Sequence, residues 1–79
     1  MVGVSYHWFR DGQEYQWDNL RTMLRRQLGP GEETWINVQV KAPEHAGSYL
    51  LRWDLVIEHV AWFSSRGCEF PECSIRVEP

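Results

Sequence analysis

Chemistry in a chain needs nucleophiles, acids, bases or ligands held together, and this sequence supplies few such sets. Cys68 and Cys73 bound the run Cys-Glu-Phe-Pro-Glu-Cys. Two thiols around a proline turn suit a Cys68–Cys73 disulfide clipping a short loop, worth about 2 kcal/mol where unstrained. Two independent thiols in a peripheral segment are the other reading. A zinc site needs three or four ligands at characteristic spacing. His7, His45 and His59 lie in three separate segments and lack that spacing relative to the cysteines, so neither metal nor cofactor is expected. Ser64 or Ser65 with His59 and Asp54 contains the parts of a hydrolytic triad. Ordinary turn and surface roles account for them, and no Gly-x-Ser-x-Gly elbow occurs. The chain is not expected to be an enzyme. Arg21, Arg25 and Arg26 form a small basic group, read as a solvated face because three charges do not make a phosphate or nucleic-acid site.

Tryptophan is the one strong bias, with five in 79 residues. A Trp covers much area at little side-chain entropy, so a small sheet protein gains from burying it, and most are expected in the core. Trp35 is different. It lies out of phase with Ile36, Val38 and Val40, so if that trio faces inward, Trp35 faces out. Trp62 and Phe63 are adjacent, and a strand must turn one of them away from the core. Trp17 falls at a strand end. Exposed aromatics on a sheet offer flat apolar area suited to a sugar ring or a protein partner. Trp35, Trp62 and Trp17 are therefore candidate binding residues, with Asn37 and Arg52 beside them as hydrogen-bonding groups; Gln39 and Asp54 are further polar neighbours. Packing under loops or in an oligomer contact is the competing account of the same aromatics.

The elements that must position these side chains are short strands. Val2–Phe9 alternates, with Val4, Tyr6 and Trp8 on one face and Ser5, His7 and Phe9 on the other. Asp11-Gly12 is a strong hairpin signal, with Glu14–Trp17 as the return strand. Residues 19–28 fit either irregular or short helical structure, or an extended crossing segment with Leu24 and Leu28 plugging the core, and Gly29-Pro30-Gly31 closes them in a turn. Glu33–Lys41 reads as a half-buried strand. Ser48–Ile57 is the next, with Tyr49, Leu51, Trp53, Leu55 and Ile57 on one face. Val60–Phe63 and Ser74–Glu78 complete six strands, an antiparallel all-β pattern. Length allows one domain, residues 1–79. The net charge of −3 argues against nucleic acid as a partner, and no apolar run is long enough to span a membrane. The hydrophobic share of 43% excludes disorder.

Tyr49 within Gly47-Ser48-Tyr49-Leu50-Leu51-Arg52-Trp53 matches the tyrosine corner of immunoglobulin-like sandwiches, where the Tyr hydroxyl bonds back to the preceding connection. Leu51 stands where antibody domains carry their second inter-sheet Cys. Further landmarks are Ser5-Tyr6-His7-Trp8-Phe9, Asp11-Gly12, Trp17-Asp18, Leu20-Arg21-Thr22, Leu24, Pro30-Gly31-Glu32, Ala42-Pro43, Trp53-Asp54-Leu55-Val56 and Trp62-Phe63-Ser64. Across residues 4–64 the chain resembles a bacterial immunoglobulin-like accessory module found in multidomain proteins, including glycosyltransferases and other sugar-related or surface proteins. It is similar in outline to the four-tryptophan immunoglobulin-like domain of autophagy cargo receptors, which docks other proteins. The resemblance implies an immunoglobulin-like antiparallel β-sandwich with Tyr49, Trp8, Trp53, Asp18 and Arg21 as structural residues. An Arg–carboxylate contact is expected to fix the crossing segment against the sheet.

Modules of this type carry an initial strand pair that has no counterpart here, Met1 standing four residues before Ser5. The sandwich is accordingly expected to be N-terminally truncated. An uncovered sheet edge is an association template, so a homo-oligomer, most simply a dimer, or a neighbouring domain is the expected partner. The functional expectation is a non-catalytic accessory or interaction module; the alternative is a carbohydrate-binding module that uses exposed Trp side chains on a glycan. The compartment is left open, with family usage and the Cys pair leaning extracytoplasmic.

Overall fold

The computed structural model describes residues 2–24, 30, 31, 33 and 35–79. Two long strands form its centre. Strand β1 (Val2–Arg10) and strand β4 (Gly47–Ile57) run antiparallel, in a ladder from Val2 opposite Ile57 to Phe9 opposite Leu50. The short strands border them as two composite edges. Along the outer side of β1 lie β2 (Gln13–Gln16) and β3 (Thr22–Met23), and along that of β4 lie β5 (Ala61–Trp62) and β6 (Glu72–Val77). All six strands belong to one curled antiparallel sheet, and the class is all-β.

The hairpin forms where Asp11-Gly12 marks it. Both residues have positive φ, 53° and 76°, and Arg10 pairs with Gln13 across them. That is the two-residue turn whose twist matches the flanking strands. A bulge between Trp8 and Phe9 then shifts the register of β2.

Both faces of the central pair are covered. On one, Tyr6, Trp8, Tyr49 and Leu51 form the buried core, with Trp53 and Val77 packed against it. The rings meet edge to face, Tyr6 against Trp8 at 5.9 Å and against Trp53 at 6.1 Å. The segment before β4 is tied to this face by its backbone. Tyr6 Oη accepts from Lys41 N–H at 2.8 Å, Trp8 Nε1 donates to Lys41 O at 3.3 Å, and Tyr49 Oη donates to His45 O at 2.7 Å.

Four expectations about elements change. Glu33–Lys41 is not a ladder strand: among the described residues, positions 35–41 make no strand pairing and no backbone–backbone hydrogen bond. The alternation there records half-burial of Ile36 and Val38 beneath an exposed outer row, which does not require a paired neighbour. The described part of residues 19–28 holds no helix. Thr22 and Met23 instead pair with Val4 and Gly3, and Leu24 N–H donates to Val2 O. Gly3 permits this, since a Cβ there would lie 3.0 Å from Met23 Sδ. Leu28 falls outside the described residues. The expected strand Val60–Phe63 shrinks to Ala61–Trp62, because the chain turns into a 3₁₀ turn over Phe63–Arg66, ended by Gly67 at φ 88°. The Cys68–Cys73 clip is not made, and both cysteines are free and exposed. β6 carries Cys73 into register with Leu51, while Cys68 stays with the 3₁₀ turn, its N–H on Phe63 O.

Candidate functional site

The opposite face of the central pair is built around ionisable groups. Ser5, His7 and Asp54 lie there with 0–1% exposure, the first two from β1 and Asp54 from β4. Asp54 is the hub. Its Oδ2 accepts from His7 Nε2 at 2.7 Å and from Ser64 Oγ at 2.5 Å. Its Oδ1 accepts from the N–H of Leu55 at 2.8 Å and of Ser64 at 3.1 Å. Burial alone pushes the carboxyl up, but the bonds from Ser64, His7 and the two backbone N–H groups outweigh it. The Asp54 carboxyl therefore sits below its ordinary value. His7 Nδ1 donates to the Trp17 carbonyl at 2.6 Å, so each ring nitrogen faces an oxygen acceptor.

This is a Ser, a His and an Asp in contact, yet its wiring differs from a hydrolytic triad. There the hydroxyl bonds the imidazole, which accepts its proton. Here the Ser64 hydroxyl is spent on the carboxylate, and both His7 nitrogens are occupied elsewhere. His59, the histidine that sequence spacing set beside Asp54, is exposed in a turn with φ 61°.

Aromatic rings seal this hub from solvent. Trp17 stacks on His7 with ring centroids 3.4 Å apart, and Trp62 meets His7 edge-on at 4.6 Å. Arg21 lies over Trp62 at 4.9 Å, donates from Nε to Glu58 at 2.6 Å and reaches Asp18 at 3.3 Å. Arg21 thus makes the expected carboxylate contact, with Glu58 as the shorter partner. Trp17 and Trp62 are half-buried and engaged with His7, Arg21 and each other. Sequence reasoning grouped Ser64 with Asp54 but named His59 where the fold supplies His7. The signal was the polar pair Ser5 and His7 on the second face of an otherwise apolar strand.

Among the remaining candidates, Arg52 stands opposite His7 in the ladder but turns its side chain away from the hub, and Trp35 and Asn37 lie on a separate segment. Arg52 stacks over Phe9 at 4.3 Å and pairs with Glu72 at 3.6 Å. It borders an open depression of 530 Å³, which Phe9, Leu50, Ser74 and Arg76 also line. Trp35 is 102% exposed, and no other large hydrophobic residue described is so free of the fold. Asn37 and Gln39 are exposed in alternation with it, and Val40, expected to face inward, is exposed together with Lys41. The five expected binding residues therefore fall in three places: Trp35 with Asn37, Trp17 with Trp62, and Arg52 alone.

Comparison with known proteins gives no family model, no curated protein and no solved structure that matches the chain. Among the described residues, no helix is long and apolar enough to cross a membrane.

Proposed function

We propose that the chain is a non-catalytic interaction module of immunoglobulin-like type, whose contact surface is the segment around Trp35. The observation that carries this is the full exposure of Trp35 on a segment that makes no backbone–backbone hydrogen bond among the described residues. An indole wholly in water on a folded surface is unspent apolar area, and Trp is enriched where partners dock. The immunoglobulin-like assignment draws support from the Tyr49 Oη bond back to His45 O, the bond a tyrosine corner makes. The non-catalytic reading draws support from the Ser64 hydroxyl, which donates to a carboxylate that already accepts three other bonds.

A glycan platform is the second reading, favoured by Asn37 and Gln39 lying exposed in phase with Trp35. The deciding experiment follows the five indole N–H signals in a ¹⁵N correlation spectrum, first through a dilution series and then with a panel of oligosaccharides. A Trp35 signal that moves on dilution supports protein contact. One that moves saturably with one sugar class supports the glycan reading instead, and one indifferent to both removes the surface assigned here. The Trp35→Ala variant is expected to keep the dispersed amide spectrum of a folded chain while losing the contact, since Trp35 packs on nothing among the described residues.

A further inference from the structure

The sequence of the exposed segment is complementary to itself. From Glu33 to Lys41 it reads Glu-Thr-Trp-Ile-Asn-Val-Gln-Val-Lys. Laid antiparallel on a second copy with Asn37 opposite Asn37, Glu33 faces Lys41 at both ends, Trp35 faces Gln39 and Ile36 faces Val38. Both charge pairs are opposite in sign, Ile36 and Val38 meet in both directions, and Trp35 lies across Gln39. Shifting the register by two residues sets Glu33 opposite Gln39 or leaves it beyond the end, and both charge pairs are lost.

The backbone agrees with this register. Lys41 turns its N–H and C=O toward Tyr6 and Trp8. In an extended strand the two backbone groups of one residue point to one side and those of the next to the other. Continued in extended form from Lys41, the segment presents the groups of Ile36, Val38 and Val40 outward. With Asn37 on the two-fold axis, Ile36 and Val38 are the residues that exchange hydrogen bonds between copies. Backbone parity admits this alignment and excludes any shift by a single residue, and the charges select it from the alignments that parity allows.

Resting on the interaction reading above, we infer that the partner is a second copy of this chain, joined by antiparallel pairing of residues 33–41 about a two-fold axis at Asn37. One strand from each copy makes a contact at the small end of the range for specific interfaces, so the dimer is concentration-dependent.

Sedimentation of the full chain across the micromolar range tests it. Lys41→Glu is expected to weaken the dimer about tenfold, since two opposite-charge cross-strand pairs become like-charge pairs. The double change Glu33→Lys with Lys41→Glu is expected to restore it. Both side chains are exposed, and a dispersed amide spectrum confirms that each variant folds. An Asn37→Cys variant, with Cys68 and Cys73 changed to Ser, is expected to cross-link to itself on oxidation. A dimer indifferent to the charge changes and silent in the cross-link overturns this register and leaves the interaction reading standing. A chain that stays monomeric at high micromolar concentration overturns the self-pairing, and the Trp35 titrations then judge the broader reading on their own.

Discussion

Asp54 carries more than its place in a strand suggests. It is 1% exposed and accepts from two side chains and two backbone N–H groups. Removing the carboxylate leaves His7 Nε2 and Ser64 Oγ without an acceptor inside the protein. Breaking one side of a buried pair costs about 3–5 kcal/mol, so Asp54→Ala is expected to unfold with a loss of that order in urea titrations. The same residue sets an acid limit. Its folded carboxyl lies below the ordinary value, so the stabilisation is fully present above the unfolded value of about 3.9. It is lost as pH falls through the folded value. Stability measured from pH 7 down to pH 3 is expected to drop at the acid end in the wild type, and to drop less in Asp54→Asn. A matching acid slope in the two proteins would assign the effect to other carboxylates.

At the level of elements, the legible parts were those whose signal is local. Asp11-Gly12 specifies its turn through two positive φ values, and a residue with a Cβ strains such a position by about 1–2 kcal/mol. Gly12→Val is expected to lower stability by that amount and to spare the hub, as a denaturant midpoint would record. The alternations in β1 and β4 were equally readable, and Tyr49 found the bond expected of it at His45. The rest depended on contacts distant in sequence. No local pattern tells Thr22 and Met23 to pair with Val4 and Gly3, or His7 to meet Asp54. The row Ile36, Val38, Val40 carried the period of a strand but not the fact that Lys41 is held by the tips of Tyr6 and Trp8. Trp17 and Trp62 had the composition of a ligand platform, and their use as a lid over His7 follows only from the fold. The outward phase of Trp35 needed nothing distant and was readable from spacing.

The whole molecule is elongated, with principal extents of 41 × 24 × 22 Å and a radius of gyration of 13.5 Å, against about 12 Å for a compact chain of this length. Among the described residues the buried hydrophobic side chains are Tyr6, Trp8, Tyr49, Leu51 and Val56, a small reserve for a domain whose size already limits burial. Association that favours the folded state raises apparent stability by mass action. The melting temperature is therefore expected to climb with protein concentration in the wild type, and Lys41→Glu is expected to need about tenfold more protein for the same rise, as calorimetry at several concentrations would show. The central ladder has a further consequence. It joins Phe9 to Leu50 and Val2 to Ile57, partners more than forty residues apart. Contacts of that range place refolding in the slower, millisecond-to-second part of the range for small domains. On the ribosome, Tyr6 and Trp8 are translated first and wait while the chain grows past Leu51 and Trp53. Until then the β1–β2 hairpin holds half of a core, and this sheet closes only when β4 has been made.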